Sequence, residues 1–414
     1  MKFILNSIGT RGDMEPFLAI GTILKKKGHE VVCLFPEQFR SLAEDSDLRF
    51  ISLGSEFIDL LDSDDGKAAL GGSSSGFPKI LAYFRLARKF QGMNKQLVQR
   101  QREAIDAEQP DKIIRNGKPM YPVLWSLKTK KETILISPVP YLHYVKGHAH
   151  LAFNGNFGSF INKLTYAIGN FGIRKTELAS AKWLKLKVSS SAVKQQLEKE
   201  KTIYTISPSL FPRPDAWPQH LQVLGYHERD KAIHWKPDSE LLNFLEKHPK
   251  ILFLSFGSMT NPKPEEKTNT FLQILEKHKI PALINTGKGG LQQSNQYQKE
   301  LFHFVDQIPY DWAFNKMYAA IHHGGSGTTH MSLKHGCATM IIPHIIDQFV
   351  WNKMVAEKGA GPLGMAISKI KSGSLEDKIL DLWNNTNYKQ KALQISRKMQ
   401  SEDFEEVLYQ SLIS

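Results

Sequence analysis

Short apolar runs alternate with stretches of helical periodicity along the whole chain. The alternation begins at the first residues, is interrupted once near the middle, and then starts again. Strands that alternate with helices are typical of α/β folds built on parallel sheets. The pattern predicts strands at Lys2–Ile8, Glu30–Leu34, Leu48–Ile51, Asp111–Ile114, Glu132–Ile136, Ile203–Ile206, Leu221–Leu224, Ile251–Ser255, Ala282–Asn285, Phe302–Val305, Ala319–Ile321 and Thr339–Ile342.

The interruption is a proline-rich stretch. Residues 207–220 read SPSLFPRPDAWPQH and hold four prolines in fourteen positions. A helix cannot cross such a stretch, so we place a domain boundary there and predict an N-terminal domain at 1–217 and a C-terminal domain at 218–395. Residues 396–414 are predicted as a helix that packs back on the first domain. Two tandem α/β halves predict a cleft between them, with ligands at the carboxyl ends of the strands.

Composition fits this organisation and narrows the class of protein. A chain of 414 residues is too long for one typical core, and 41% hydrophobic with 23% charged residues is typical of a globular protein in water. The first apolar run is too short for a signal peptide, and no stretch approaches the length of a membrane span. Cys33 and Cys337 both lie in strand-like apolar runs. We therefore expect buried, reduced thiols and a cytoplasmic protein.

A net charge of +13 suits nucleic acid, an anionic membrane or a phosphorylated ligand. The charge is scattered, without a recognition helix or an aromatic-interleaved basic strand, so no nucleic-acid partner is expected. The segment KILAYFRLARKF (79–90) is basic and amphipathic, and it follows an acidic run (62–65) and a glycine-serine loop (72–78). Two interpretations stay open for it: a solvated helix over the core, or a helix that gives peripheral contact with a membrane.

Three histidines follow the fifth predicted strand. His143, His148 and His150 lie in HYVKGHAH, after the run Glu132–Ile136. A zinc site would need a fourth ligand and a tighter spacing. A flexible lid is the preferred interpretation.

A glycine-rich turn, HHGGSGTTH (322–330), joins a β-like run to a helical one. Glycines let backbone amides approach a ligand, and the dipole at a helix start favours an anion. Ser326, Thr328 and Thr329 add hydroxyl donors, and His323 adds a ring donor. The spacing matches neither a Walker loop nor the dinucleotide fingerprint. The turn predicts a phosphate or diphosphate cradle; the alternative is a tight turn that binds nothing.

The next strand-to-helix connection carries an acid and an amide. Asp347 and Gln348 follow the buried run CATMIIP. Together they offer the acceptors and donors that sugar hydroxyls require. Their alternative role is to cap the helix that follows.

The loop GTRGDME (9–15) lies between the first strand and the first helix. Asp13 has two interpretations: a helix-capping carboxylate, or a general base. Glu15 is the rival carboxylate. Thr10 and Arg11 are candidates for positioning phosphates.

Three of these segments resemble one family. Residues 322–362 resemble the donor-binding signature of the UDP-glycosyltransferase superfamily, and are most similar to the sterol glucosyltransferases and the antibiotic glycosyltransferases. Residues 9–21 and 306–314 resemble the N-terminal and nucleotide-side motifs of the same group. The resemblance implies the GT-B fold, in which two Rossmann-like α/β/α domains face each other across a cleft.

The resemblance also implies residue roles. His323, Ser326, Gly327 and Thr328 would contact the diphosphate, Asp347 and Gln348 the sugar, and Gln307, Ile308 and Trp312 the uracil. The full set of predicted donor-binding residues is Thr10, Arg11, Gly12, Ser258, Gln307, Ile308, Trp312, His323, Gly325, Ser326, Gly327, Thr328, Asp347 and Gln348. Three positions depart from the family pattern: Ala338 replaces a usual proline, Tyr310 a frequent histidine, and Lys288 a frequent tryptophan.

The implied activity is inverting, metal-independent transfer of a hexose, with glucose as the expected sugar, from a UDP-sugar to a hydroxyl of a hydrophobic acceptor. Sterol-like, carotenoid, polyketide and flavonoid acceptors all fit. Asp13 is the expected catalytic base, and no cofactor is expected beyond the nucleotide sugar. Two alternatives stay open: a transferase that uses a TDP-sugar on a natural-product aglycone, and a sugar-nucleotide epimerase on the same fold.

Overall fold

The computed structural model describes residues 1–62, 77–118, 120–229, 235–261, 263–287 and 290–414; for residues 61–62 and 77–90 it describes the backbone only. Several segments discussed above lie outside the described residues: 63–65 of the acidic run, 72–76 of the glycine-serine loop, the side chains of the basic segment 79–90, and Lys288.

The chain divides into two compact units. The first holds the described residues up to Arg229 together with Asp403–Ser414. The second holds the described residues that follow Arg229, up to Glu402. Each unit is built on one parallel sheet.

The sheet of the first unit has seven strands in the order β3-β2-β1-β4-β5-β6-β7. They are β1 Lys2–Asn6, β2 Glu30–Phe35, β3 Arg49–Ser52, β4 Lys112–Arg115, β5 Thr133–Ser137, β6 Lys201–Tyr204 and β7 Leu221–Val223. The helices are α1 Arg11–Lys26, α2 Arg40–Glu44, α3 Glu56–Asp62, α4 Phe77–Glu108, α5 Tyr121–Thr129, α6 Ser159–Trp183 and α7 Ser190–Lys199, with the C-terminal helix added below.

The sheet of the second unit has five strands in the order β10-β9-β8-β11-β12. They are β8 Leu252–Ser255, β9 Ala282–Asn285, β10 Phe302–Val305, β11 Ala319–His322 and β12 Ala338–Ile341. The helices are α8 Ser239–Lys247, α9 Pro264–Lys277, α10 Tyr310–Phe314, α11 Ser326–Lys334, α12 Ile346–Glu357, α13 Ser372–Asn384 and α14 Thr386–Gln400.

Each predicted strand overlaps a strand of the structure, so the α/β prediction is confirmed at the level of elements. The prediction for β6 is the least accurate, because the strand begins two residues before the predicted Ile203. The inner strands are buried on both faces, as expected for parallel sheets that helices cover, whereas the edge strands β3 and β10 are partly exposed. Cys33 and Cys337 are buried free thiols in these sheets or beside them. None of the described helices is both long enough and apolar enough to cross a bilayer.

The predicted boundary at 217/218 falls inside the first unit, and β7 explains why. Thr202 and Tyr204 of β6 pair in parallel with Leu221 and Val223, so β7 extends the first sheet instead of opening the second. The proline-rich stretch does exclude a helix, but it serves as the crossover between these two strands. Trp217 holds it in place by stacking on Tyr204, with ring centroids 4.9 Å apart.

The chain returns to the first unit later than residue 396, where the sequence placed the start of the returning helix. Helix α14 runs through that position and stays in the second unit, where Ser396 Oγ donates to the carbonyl of Lys334 at 2.6 Å. The chain enters the first unit at Asp403, and α15 (Glu405–Ile413) follows. Leu408 and Leu412 of α15 are fully buried in the same core cluster as Phe3 and Phe17. The break falls at Asp403 because the turn after α14, and not a helix, connects the two units.

Both sheets reverse their direction of growth at an inner pair of strands. The order grows outward from β1 to β3 and then resumes at β4 on the other side of β1; in the second sheet the same reversal separates β8 from β11. At such a switch point the connections that follow the two strands diverge, and the carboxyl ends between them form the usual ligand crevice of an open α/β sheet. The fold therefore singles out the loops after β1 and β4 in one unit and after β8 and β11 in the other.

Candidate functional site

Asp13 lies in the loop-to-helix connection after β1. Thr10 is the N-cap of α1, and Asp13 is the third residue of the helix rather than the cap itself. Its carboxylate turns back toward the loop, where Oδ2 accepts from the Thr10 amide at 2.8 Å and from Thr10 Oγ1 at 3.3 Å. An acid at this position closes a capping box, so Asp13 has a structural role whether or not it also acts as a base.

A lysine from the neighbouring switch-point loop contacts the same carboxylate. Lys118 Nζ lies 2.9 Å from Asp13 Oδ1, and the two side chains are 48% and 25% exposed. Buried Asn116 ties the two loops together, since its Nδ2 donates to Ser7 Oγ at 2.9 Å and to the carbonyl of Ile8 at 2.8 Å. The Asn116 side-chain oxygen accepts from the Lys118 amide at 3.1 Å.

Sequence reasoning did not single out Asn116 or Lys118. The signal was present, because both follow the predicted strand Asp111–Ile114 at its carboxyl end, but nothing local indicates that β4 lies beside β1. Gly9 is a further residue of this arrangement. Its φ is +147°, and a Cβ there would lie 2.1 Å from Asp13 Oδ2.

The other predicted residues of this loop divide into two groups. Arg11 and Gly12 are exposed in the first turn of α1. Glu15, the rival base, is held by two guanidinium groups: Arg11 Nε lies 2.9 Å from its Oε1, and Arg229 Nε lies 3.1 Å from its Oε2. Of the two carboxylates, only that of Asp13 turns back onto the loop at the switch point.

In the second unit, the glycine-rich turn is the start of α11, as predicted. β11 ends at His322, Gly325 is the N-cap, and Ser326, Gly327 and Thr328 form the first turn. A glycine cap brings no side-chain oxygen to the first-turn amides, and within the described residues no side-chain cap is found there. Amides at an uncapped helix start are donors for an anion.

His323 is packed between two glycine loops of this switch point. A Cβ at Gly257, after β8, would lie 2.8 Å from its Cε1, and a Cβ at Gly325 would lie 2.5 Å from its Nε2. Burial, with smaller contributions from His322 and His344, lowers the pKa of His323 well below its usual value. The ring is therefore neutral at pH 7, and among the described residues its Nδ1 has no hydrogen-bond partner. Ser258, next to Gly257, is partly exposed.

Asp347 and Gln348 are the second and third residues of α12. Asp347 is partly exposed, whereas Gln348 is 3% exposed. The Gln348 side-chain oxygen accepts from the amides of His344 and Ile345 at 2.7 and 3.2 Å, and its Nε2 lies 3.2 Å from Met259 Sδ. In this arrangement Gln348 caps α12, which is the alternative role that the sequence left open.

The predicted nucleotide-side residues lie in the connection after β10. Gln307 is exposed, Ile308 is buried, and Trp312 packs edge to face on Trp235 with centroids 4.7 Å apart. Tyr310, which stands where the family often has histidine, places its hydroxyl 2.9 Å from Ser255 Oγ at the end of β8. The segment is thus tied to the same switch point as His323.

The three histidines after β5 do not converge. His143 Nδ1 lies 2.7 Å from the hydroxyl of Tyr204, His148 stacks on Tyr141 at 4.2 Å, and His150 Nδ1 accepts from the Ala152 amide at 3.2 Å. Throughout the described ranges, no group of three or more His, Cys, Asp or Glu side chains has the arrangement to hold a metal ion.

Two family models match the chain. The glycosyltransferase family 28 N-terminal domain matches residues 3–117, and the C-terminal domain of the erythromycin biosynthesis protein CIII-like family matches residues 299–413. The first match contains Asp13 and Asn116, and the second contains His323 and Gln348.

Curated relatives match over nearly the whole chain. A sterol 3-beta-glucosyltransferase of Arabidopsis thaliana, UGT80A2, is 25% identical over 97% of this chain and 64% of its own length. A sterol 3-beta-glucosyltransferase of Komagataella phaffii is 27% identical over 97% of this chain and 33% of its own. The chain thus spans between about a third and two thirds of the length of these relatives.

Solved glycosyltransferases share the fold. The calicheamicin glycosyltransferase CalG4 superposes with a TM-score of 0.71 at 14% identity, covering 99% of this chain and 97% of its own. The glycosyltransferase VinC, solved in complex with DTDP, gives a TM-score of 0.69 at 14% identity, covering 100% and 98%.

Proposed function

We propose that this chain, which belongs to the UDP-glycosyltransferase superfamily and has the GT-B fold, transfers a hexose from a nucleotide diphosphate sugar to a hydroxyl of a hydrophobic acceptor. The observation that carries the proposal is the uncapped start of α11 beside the neutral ring of His323, at the switch point of the second sheet. The second unit is accordingly proposed as the donor-binding domain and the first as the acceptor-binding domain.

The donor diphosphate is proposed to lie on the first turn of α11. The amides of Ser326, Gly327 and Thr328 would donate to its oxygens, with Ser258 approaching from the end of β8. His323 would add one neutral N–H, since a buried ring with a lowered pKa keeps a single proton. Donors fixed before the reaction stabilise the charge that develops on the leaving diphosphate without rearranging. On this account the reaction is metal-independent.

Asp13 is proposed as the general base. Its carboxylate takes the proton of the acceptor hydroxyl while the hydroxyl oxygen bonds to the anomeric carbon, and the bond from that carbon to the diphosphate oxygen breaks. A single direct displacement inverts the anomeric centre. Thr10 and Lys118, which donate to the two carboxylate oxygens at 2.8 and 2.9 Å, fix the orientation of the base.

Asp347 is proposed to hold sugar hydroxyls, since its side chain is partly exposed at the start of α12. Gln348 would join it through Nε2, which lies 3.2 Å from Met259 Sδ, while its side-chain oxygen keeps both backbone donors. Gln307, Ile308 and Trp312 are proposed to frame the base of the nucleotide, which we propose is uracil, with glucose as the sugar. A TDP-sugar is the second candidate, because the glycosyltransferase VinC was solved in complex with DTDP.

The acceptor is proposed to be a sterol-like alcohol. The support is that sterol 3-beta-glucosyltransferases of Arabidopsis thaliana and Komagataella phaffii are 25% and 27% identical to this chain over 97% of its length. A reducing, cytoplasmic compartment is also proposed, since both cysteines are buried free thiols.

The test is a matrix of donors and acceptors analysed by mass spectrometry. UDP-glucose, UDP-galactose and TDP-glucose are each combined with a sterol, a carotenoid diol, a polyketide aglycone and a flavonoid. A hexose adduct on the sterol with UDP-glucose, together with acceptor-dependent release of UDP, is expected. Interconversion of UDP-glucose and UDP-galactose without any acceptor product would support the epimerase and overturn the transferase.

A further inference from the structure

Helix α6, in the first unit, exposes a row of large apolar side chains. Phe160 is 81% exposed, and Ile161, Leu164, Ile168 and Phe171 are each about half exposed. Their spacing of i, i+1, i+4, i+8 and i+11 places them within an arc of about 100° on one side of a helix. Phe157, just before the helix, extends the row. We call these five side chains of α6 the apolar face.

The opposite side of α6 is the one that packs on the first unit. Asn162, Thr165, Tyr166, Glu177 and Ser180 are buried there. Up to Thr176 the buried positions are Asn162, Thr165 and Tyr166, while the large aliphatic and phenylalanine side chains are exposed, which is the inverse of an ordinary surface helix. Only its C-terminal end packs into an apolar core, through Ala181. A contiguous exposed apolar patch of this kind marks a binding surface.

Up to Thr176 the charged side chains of α6 are all cationic. Lys163 and Lys175 are exposed and Arg174 is partly exposed, and no described carboxylate pairs with any of the three. Lys175 Nζ and Arg174 Cζ lie 5.3 and 5.5 Å from the ring centre of Phe171, at the edge of the face. In the sequence no Asp or Glu occurs between Glu132 and Glu177.

We propose that the apolar face of α6 inserts into the interface of an anionic lipid bilayer. Aromatic and aliphatic side chains on one helix face, with lysine and arginine at its margin, are the combination that binds at the boundary of acyl chains and negatively charged headgroups. The long cationic side chains reach the headgroups while the apolar residues enter beneath them. This surface differs from the basic segment 79–90.

A second copy of the chain fits this face less well. A symmetric interface would bring Lys163, Arg174 and Lys175 of each copy next to like charges, without an acid on the helix segment to offset them. An anionic surface supplies the missing opposite charge. The inference does not rest on the proposed glycosyl transfer, because it concerns binding in the absence of any nucleotide sugar.

The experiment is co-sedimentation of the full chain with phosphatidylcholine vesicles and with vesicles that also contain phosphatidylglycerol, at low and high salt. We expect binding to the anionic vesicles at low salt, at least tenfold weaker binding to phosphatidylcholine alone, and weakening by salt. The triple variant Phe160→Ser, Leu164→Ser, Ile168→Ser should bind at least tenfold more weakly. The double variant Lys163→Glu, Lys175→Glu should lose the preference for anionic lipid.

Matched controls carry the same changes elsewhere. The control for the triple variant is Leu242→Ser, Leu363→Ser, Val407→Ser, which replaces three half-exposed apolar residues outside α6. The control for the double variant is Lys299→Glu, Lys369→Glu, which reverses the charge of two exposed lysines of the second unit. Both controls should bind like the wild type. Absence of wild-type binding at low salt, or equal losses in variant and control, overturns the proposal.

A fluorescence measurement on a labelled single-cysteine variant tests the insertion itself and does not depend on how the triple variant folds. Because Cys33 and Cys337 are buried, a Phe160→Cys variant can be labelled at one site with a polarity-sensitive dye. Its emission should shift to the blue with anionic vesicles, whereas that of the label on Leu242→Cys should not. If the emission of the Phe160→Cys label does not shift, the apolar face does not insert and the proposal is overturned. A dimer in light scattering that the triple variant abolishes would instead assign the apolar face to self-association, and would also overturn the proposal.

Discussion

At the scale of single residues, Asp13 combines two roles that one substitution alone cannot separate. Its carboxylate closes the capping box of α1 through the Thr10 amide, and Lys118 contacts its other oxygen. A capping carboxylate and a general base use the same oxygens, so geometry is compatible with both. The distinction lies in whether the group must accept a proton.

Asp13→Asn keeps an oxygen for the Thr10 amide but is a far weaker base. Glycosyl transfer should fall by about 10²-fold or more. Folding should change little, because Asn can still accept from the Thr10 amide and the ion pair lost with Lys118 is partly exposed to solvent. UDP affinity, measured by calorimetry, should also stay close to the wild-type value.

The control is Asp13→Ala, which removes the cap as well and should lower the free energy of unfolding by about 1 kcal/mol. If Asp13→Asn retains near-normal turnover, the base lies elsewhere. Glu15, despite its two arginine partners, is then the next residue to replace.

His323 offers a second test at this scale. His323→Ala removes a ring donor and should weaken UDP binding by about tenfold or more. Gly325→Ala should do the same with the histidine still present, since a Cβ there would lie 2.5 Å from His323 Nε2 and must displace the ring or the loop.

Gly373→Ala in α13 is the matched control, because a Cβ there meets no atom within 4 Å. Calorimetric titration with UDP provides the measurement. Unchanged affinity in both site variants would remove His323 from the donor site.

At the scale of elements, the starts of α11 and α12 differ in how their amides are satisfied. Helix α11 begins with a glycine cap and leaves its first-turn amides for a ligand. Before α12, the amides of His344 and Ile345 are already bound by the buried oxygen of Gln348. The first turn of α12 also carries the Asp347 carboxylate, whereas the first turn of α11 carries no acid, so the start of α11 is the better suited of the two to an anion.

Gln348→Ala should lower the free energy of unfolding by about 1–3 kcal/mol, because it leaves two backbone donors without their acceptor. If Gln348 also binds the sugar, this variant should weaken UDP-glucose and leave UDP nearly unchanged. Asp347→Ala, one residue earlier and partly exposed, should cost less stability.

Thermal unfolding and titration with both ligands separate these roles. Equal affinities for UDP-glucose in Gln348→Ala and the wild type would leave Gln348 with the capping role alone. A normal melting temperature in Gln348→Ala would contradict the capping role.

At the scale of the whole molecule, buried neutral histidines couple stability to pH. Burial lowers the pKa of His322 to about 3, and the pKa values of His143, His330 and His344 each to about 4. Below the unfolded pKa of about 6.5 the unfolded chain takes up protons that the folded chain does not bind. Stability that is present above this pH is therefore lost as the pH falls from about 6.5 toward 4.

The expected slope is at most about 1.4 kcal/mol per pH unit for each such histidine. His344→Gln, which keeps a donor for the Ile342 carbonyl, should reduce the drop in melting temperature between pH 7 and 5. His248→Gln, at a partly exposed histidine, is the matched control. A melting temperature that stays constant from pH 7 to 5 would contradict this assignment.

The sequence by itself determined what depends on neighbours along the chain. The strands, the turn at 322–330 and its helix start, and the buried cysteines all follow from periodicity, glycine placement and apolar runs, because backbone preference and local burial act over a few residues. Only the tertiary structure decided the sheet order, which pairs β7 with the first sheet. It also placed Lys118 against Asp13 over a separation of 105 residues, and it buried Gln348. It also decided which side of α6 stays exposed, since a helix with apolar residues on one face does not itself reveal whether that face packs inward. These outcomes follow from which surfaces meet when the strands assemble, and local residue patterns do not encode the partner.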